Sequence, residues 1–342
     1  MSSITIKDIA KICDVGVTTV SRAINNHPDI NAETKQKIMD VIKEYNYVPN
    51  NSARNLKRTD TKTIAILVKA VDNPFFSKMI RVFEKNIHGR GYNFFLQHVD
   101  EQQDEISVAL QLEKEKKLKG IVFLGGRFLN NEEKLKMLSV PYVLSTVGGI
   151  KIPDRSVGTC ISVDDRKESE KIVDYLCELG HKDIAFLAAM ADDEAVGKLR
   201  VQGYCDSLEK HGLTFDKDMV FYMDEKFEPY SMKTGYEMAK QLMGSGKKFT
   251  AIVCVSDMVA IGASKALFER GKKIPQDCSV AGFDGMSQSY YYEPSITTIK
   301  QPLDEMAEAS VEAIFTMMET NKSIDSMLFK GELLKRKSTD RI

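Results

Sequence analysis

The sequence has no apolar run long enough to span a bilayer. Its start, Met1-Ser-Ser-Ile-Thr-Ile-Lys7, lacks the basic and then apolar segments of a secretory signal. Both absences predict a cytoplasmic protein. Cysteine is sparse: Cys13, Cys160, Cys177, Cys205, Cys254 and Cys278 are scattered, with no Cys-x-x-Cys pair and no framework spacing. In a reducing compartment such residues read as small buried apolar groups. The five histidines show no His-Glu-x-x-His spacing, so no metal is expected. Catalytic signatures are missing as well: there is no Gly-x-Ser-x-Gly elbow and no Gly-x-Gly-x-x-Gly fingerprint. Gly244-Ser-Gly-Lys-Lys248 imitates a phosphate loop, but Gln241 stands where the first glycine belongs and no Ser or Thr follows Lys247. It reads as a turn after a helix. No enzyme and no cofactor are expected.

What is present is an ordinary soluble composition, 43% apolar and 28% charged over 342 residues, which suits two or three domains. Net charge is −1 overall, but residues 1–62 carry +3, which leaves −4 on the remainder. A basic head on an acidic body suits a polyanion-binding module attached to a sensor.

The first sixty residues show short helical patterns. Thr5-Ile-Lys-Asp8 is a capping-box-like start, followed by Ile6, Ile9, Ala10 and Cys13 on one face. Asp14-Val-Gly16 interrupts the pattern, Val17–Ile24 forms a second helix with Val20, Ala23 and Ile24 inward, and Asn31 caps a third from Ala32 to about Tyr45. Three short helices with a tight turn predict a helix-turn-helix. From Thr63 onward, short β-rich runs (63–68, 93–97, 120–124, 142–145, 183–188, 220–223, 251–255 and 279–283) alternate with amphipathic helical segments. This alternation predicts an open α/β fold with parallel sheets, divided into two similar lobes with a ligand cleft between them.

Ile4-Thr-Ile-Lys-Asp-Ile-Ala-Lys11, Val17-Thr-Thr-Val-Ser-Arg22, Tyr47-Val-Pro-Asn50 and Ala53-Arg-Asn-Leu56 are followed in order by further motifs. These are Asn73-Pro-Phe-Phe76, Gly180-His-Lys-Asp-Ile-Ala-Phe186, Arg200-Val-Gln-Gly-Tyr204, Ser279-Val-Ala-Gly-Phe-Asp284, Thr297-Thr-Ile-Lys-Gln-Pro302 and Arg336-Lys-Ser-Thr339. The succession resembles the lactose-repressor (LacI/GalR) family over nearly the whole chain. The resemblance implies an N-terminal all-α helix-turn-helix (1–49) and a hinge helix with linker (50–62). Beyond them it implies two parallel-sheet lobes of periplasmic-binding-protein-like type, 63–161 plus 293–323 and 162–292 plus 324–342.

A recognition helix in the major groove presents its N-terminal residues to base edges, here Val17, Thr18 and Arg22. Arg22 can donate two hydrogen bonds to guanine O6 and N7, while Val17 and Thr18 can touch thymine methyls. The competing reading of Arg22 is a helix-surface ion pair. By resemblance, Thr5, Thr19, Ser21, Asn25 and Thr34 touch the DNA backbone and fix register. Asn50 can cap a short helix bearing Ala53, Leu56 and Lys57, stable only when bound. The resemblance implies that two copies pair across a dimer and wedge Leu56 into the minor groove. Two positions depart from the family: Asp14 replaces a usual Gly, and Gly16 replaces a usual Ser. Asp tolerates the left-handed conformation, so the turn is expected to survive.

For the sensor, the resemblance implies effector contacts from Phe75 and Phe76, Arg200, Phe227, Asp257 and Asp284. Ser256 and Thr146 stand where sugar-binding relatives often carry Asn and Asp, and Glu194 where a purine-binding relative has Arg. A sugar or sugar phosphate is therefore favoured over a purine. The partners expected are double-stranded operator DNA, a carbohydrate effector and a second copy in a homodimer, without a membrane. The chain stops soon after Lys337-Ser-Thr339, which leaves no tetramerising heptad. Alternatives are control by a phosphoprotein docking on the N-terminal lobe, a secreted sugar-binding protein, or an α/β enzyme.

Overall fold

The structure, a computed structural model, describes residues 5–24, 27, 29–45, 62–70, 73–100, 103–128 and 132–342. The expectations for Asn25, Asn50, Ala53, Leu56, Lys57 and the hinge helix lie outside the described residues. The chain divides into two compact units, 1–60 and 61–342.

In the first unit, helices α1 (Ile6–Cys13), α2 (Val17–Ile24) and α3 (Ala32–Glu44) surround one small core of Ile9, Ala10, Cys13, Val20, Ala23 and Ile38. The start of α1 is the expected reciprocal box. The Asp8 N–H donates to Thr5 Oγ1 at 3.4 Å and the Thr5 N–H donates to Asp8 Oδ2 at 2.9 Å. Its end is a left-handed cap: Asp14 has φ 54°, which lets the Val15 N–H return to the Ala10 carbonyl at 3.0 Å. The departure at Asp14 is thus accommodated by the conformation it was expected to need. Asn31 Oδ1 accepts the N–H groups of Glu33 and Thr34 at 2.9 and 3.3 Å, capping α3.

The second unit holds two six-stranded sheets. The first contains β1 (Thr63–Lys69), β2 (Asn93–Val99), β3 (Gly120–Leu124), β4 (Tyr142–Ser145), β5 (Gly158–Val163) and β11 (Met327–Phe329), in the order β11-β5-β4-β3-β1-β2. All its pairings are parallel. The second contains β6 (Ile184–Leu187), β7 (Val220–Phe221), β8 (Ala251–Cys254), β9 (Ser279–Asp284), β10 (Thr297–Lys300) and β12 (Glu332–Leu334), in the order β12-β10-β9-β8-β6-β7. It is parallel except where β12 runs against β10. Both sheets reverse winding next to their first strand, and such a switch point opens a crevice at the strands' carboxyl ends. The inner strands are covered on both faces and mostly apolar; every residue of β3, β4, β5, β6 and β8 is buried.

The connecting helices are α4 (Pro74–Gly89), α5 (Glu105–Lys116), α6 (Glu132–Leu135), α7 (Asp165–Glu178), α8 (Val196–Lys210), α9 (Met232–Gly244), α10 (Asp257–Glu269), α11 (Ser287–Tyr291) and α12 (Leu303–Thr320). Helix α12 buries Met306, Ala307, Ala313, Ile314 and Met317 against the first sheet.

The lobe boundaries shift from those expected near Glu293 and Ile324. Strand β10 pairs with β9 (Thr297 opposite Ala281), so the chain stays in the second lobe through Lys300. Strand β11 pairs with β5 (Met327 opposite Ile161), so the last crossing falls between Phe329 and Glu332. A run such as Thr297-Thr-Ile-Lys carries β propensity but nothing that says which sheet it joins; tertiary pairing decides.

Candidate functional site

A cavity opens where strand ends of both sheets converge. From the first lobe it takes Lys69 at the end of β1 and Ala70 after it, Phe75 and Phe76 on α4, Gly125–Arg127 after β3, and Thr146 after β4. From the second lobe come Asp193 after β6, Arg200 on α8, Tyr230, Asp284 at the end of β9 and Gln301 after β10. Gly125 (φ 71°) and Gly126 (φ 133°) make the turn beneath it. A Cβ on Gly125 would lie 2.8 Å from Phe76 Cζ, so glycine there lets the phenyl ring reach the wall.

Arg200 is the centre of the polar floor. Its Nε donates to Asp165 Oδ1 at 2.8 Å, Nη1 donates to the Val255 carbonyl and lies 3.8 Å from Asp284 Oδ1, and the guanidinium sits 3.5 Å over the Phe283 ring. Gln301 Nε2 donates to Asp284 Oδ1 at 3.0 Å. Burial pushes the Asp284 carboxyl up to about 8 against the pull of Arg200, and pushes Asp165 up to about 6 in the same way. Asp193 is held by the N–H groups of Ala195 and Gly197 at 2.8 and 3.1 Å, and its carboxyl is raised by burial.

The cations facing this space are matched by acids. Lys69 Nζ pairs with Glu105 at 3.0 Å, and Glu105 Oε1 accepts the N–H groups of Arg127 and Phe128 at 2.9 Å each, fixing the loop after β3. Arg127 of the first lobe pairs with Asp192 of the second.

Four of the six effector residues expected from the sequence, Phe75, Phe76, Arg200 and Asp284, come together here; two do not. Asp257 is fully buried and accepts from the Met286 N–H at 2.7 Å and the Ser289 hydroxyl at 2.8 Å, pinning α11 to α10; its carboxyl is pushed up to about 6 by burial. It is a structural acid rather than a cleft wall. Phe227 stands off the lining, with Lys226 and Lys233 at 5.1 and 5.6 Å from its ring. A loop aromatic between lysines satisfies its ring at the surface, and sequence alone cannot tell this from a wall position. Sequence reasoning passed over Lys69, Arg127, Asp193, Tyr230 and Gln301. For Lys69, Arg127 and Asp193 the signal was position soon after predicted strand ends; Tyr230 and Gln301 had no such signal.

On the first unit, Val17, Thr18 and Arg22 are exposed, and Thr19, Ser21 and Thr34 are half-buried. Arg22 Nη1 lies 3.2 Å from Asp29 Oδ2, so the ion-pair reading of this arginine is realised in the unbound protein.

A surface-presented helix-turn-helix in one chain with a two-sheet unit that closes on a polar cavity defines a sensor-coupled DNA-binding regulator. The comparisons agree. Residues 5–50 match the bacterial regulatory proteins of the lacI family, and residues 173–339 match a periplasmic binding protein-like domain. The HTH-type transcriptional regulator MalR of Clostridium butyricum is 39% identical over 97% of this chain and 98% of its own. Among solved structures, a CelR–cellobiose complex superposes with TM-score 0.71 at 24% identity, covering 98% of this chain and 99% of that one. A lac repressor dimer bound to operator and the anti-inducer ONPF gives TM-score 0.73 at 22% identity, over 99% and 100%. The chain belongs to the lacI family of bacterial transcriptional regulators. It is a regulator and not an enzyme. Among the described residues no helix is long and apolar enough to cross a membrane.

Proposed function

We propose that the protein is a repressor that binds a near-palindromic operator as a homodimer, and that a neutral carbohydrate in the inter-lobe cavity controls it. The observation that carries the effector reading is the cavity's chemistry. Phe75, Phe76 and Tyr230 offer faces for a sugar ring, and Asp193, Asp284, Arg200 and Gln301 offer hydrogen-bonding groups for hydroxyls. The three cations Lys69, Arg127 and Arg200 each face an acid, and Asp193 adds a further carboxyl group. Such a site favours a neutral polyol over a sugar phosphate, whose dianion would meet no surplus positive charge. The cellobiose held by one structural neighbour supports the same choice.

Dimeric operator binding is supported by the symmetry that one helix-turn-helix per subunit imposes, and by the dimeric operator complex of the other neighbour. In this reading Val17, Thr18 and Arg22 read bases, while Thr5, Thr19, Ser21, Asn25 and Thr34 hold the backbone. Asn50, Ala53, Leu56 and Lys57 serve in the hinge. An effector that binds one lobe arrangement better than another shifts their equilibrium and thereby the spacing of the two heads. The Arg127–Asp192 pair, which joins the lobes, is broken or kept in that shift.

Calorimetric titration with a neutral disaccharide series and the matching 6-phosphates, with and without operator, tests the effector reading. A neutral sugar should bind, and operator should change its affinity by the same factor as sugar changes operator affinity. Binding of neither series would remove the carbohydrate reading.

A further inference from the structure

We infer that Asp29 is a positioning residue for base recognition: its carboxylate fixes the Arg22 guanidinium for one base and so sharpens operator selectivity. This rests on the reading of Arg22 as a base contact. Arg22 lies in the last turn of α2, and Asp29 stands in the connection before α3. One carboxylate oxygen, Oδ2, takes Arg22 Nη1 at 3.2 Å, and the other, Oδ1, is bonded to His27 Nδ1. The carboxylate is thus anchored from its second side, and its direction is set independently of the arginine.

A guanidinium has five N–H donors in one plane. Holding Nη1 leaves the Nε–Nη2 edge of the fork for guanine O6 and N7, in the bidentate pairing that distinguishes guanine from the other bases. An arginine left unheld can swing to a phosphate, which carries no sequence information. Both side chains are exposed in the unbound protein, at 58% and 49%, so the pair contributes little to folding there. Its consequence falls in the complex, where the groove removes water and strengthens the interaction. The same negative charge stands close to the phosphate backbone and lowers sequence-independent affinity. The device therefore exchanges strength for selectivity.

The test uses the full chain and operator duplexes varied one base pair at a time, read by fluorescence anisotropy at fixed salt. Arg22→Lys first locates the position whose guanine preference depends on the fork. At that position Asp29→Asn should cut the preference for guanine by about tenfold, within what one bidentate pair supplies. Binding to random duplex should tighten at the same time, and Asp29→Glu should restore the preference. His27→Ala, which removes the second anchor, should give a smaller loss. An Asp29→Asn protein that folds normally and keeps full guanine preference overturns the inference while leaving the Arg22 reading intact. If Arg22→Lys relaxes no position, the Arg22 reading falls and takes this inference with it.

Discussion

Two arginines show how differently the two units of this chain make a site. Arg22 has one carboxylate partner seven residues away, and both side chains are about half exposed. Arg200 has only 6% of its side chain exposed, and its partners Asp165, Val255 and Asp284 are contributed by α7 and by the ends of β8 and β9. The head presents its chemistry on a small scaffold whose own core needs only a few residues. The cleft builds its chemistry from the interior of a large fold, with charges that would be unfavourable if left alone. A recognition surface can therefore change its reading with little cost in stability, whereas the cavity's polar floor is part of what holds the second unit together.

The sharpest break in this comparison is alanine at each arginine. Arg200→Ala removes the partner of the buried Asp165 carboxylate and the donor to the Val255 carbonyl, and should cost about 3–5 kcal/mol, as breaking a buried pair does. Arg22→Ala should change stability by no more than about 0.5 kcal/mol, the usual range for a surface substitution. Urea unfolding of both variants decides this; equal losses would show that the cleft network is not structural.

A second difference appears with pH. The folded protein holds a proton on Asp284 up to about pH 8, which the unfolded chain gives up near pH 4. The native state binds more protons across that window, so this group makes stability fall as pH rises, by at most about 1.4 kcal/mol per pH unit, and the loss levels off above 8. Asp165 and Asp257 add the same trend only up to about 6. Between pH 6 and 8 the wild-type unfolding free energy should decline more steeply than that of Asp284→Asn. Parallel curves would contradict the buried, proton-holding state of Asp284.

Smaller effects belong to the head. Thr5→Ala removes the side-chain half of the α1 box and should cost about 1 kcal/mol. Asp14→Gly relieves the left-handed cap and should stabilise by roughly 0.5–1 kcal/mol. Hydrogen exchange of the α1 amides reads both, with opposite signs expected.

Much of this was legible in the sequence because it is local. The capping box at Thr5, the left-handed Asp14 and the cap at Asn31 all depend on neighbours within a few residues. The strand–helix alternation likewise showed two lobes, since each strand's apolar run is its own signal. What was not legible depends on pairing across the chain. Helix α7, whose sequence Asp165–Glu178 is largely polar, went unread because a polar exposed face masks the buried Ile172, Val173 and Leu176. Strands β5, β10, β11 and β12 also went unread, and three of these are four residues or fewer. In the cleft, Asp257 and Asp284 look alike in sequence, each beside a strand end. Only the fold shows that one faces the cavity and the other closes under α11.

The central claim, a DNA-binding regulator answering to a neutral sugar, is tested most directly by selecting binding sites from a random duplex library with and without neutral disaccharides. A near-palindromic site, containing a guanine read by Arg22, is expected, with an enrichment that differs between the two conditions. Failure to enrich any site in either condition would contradict it.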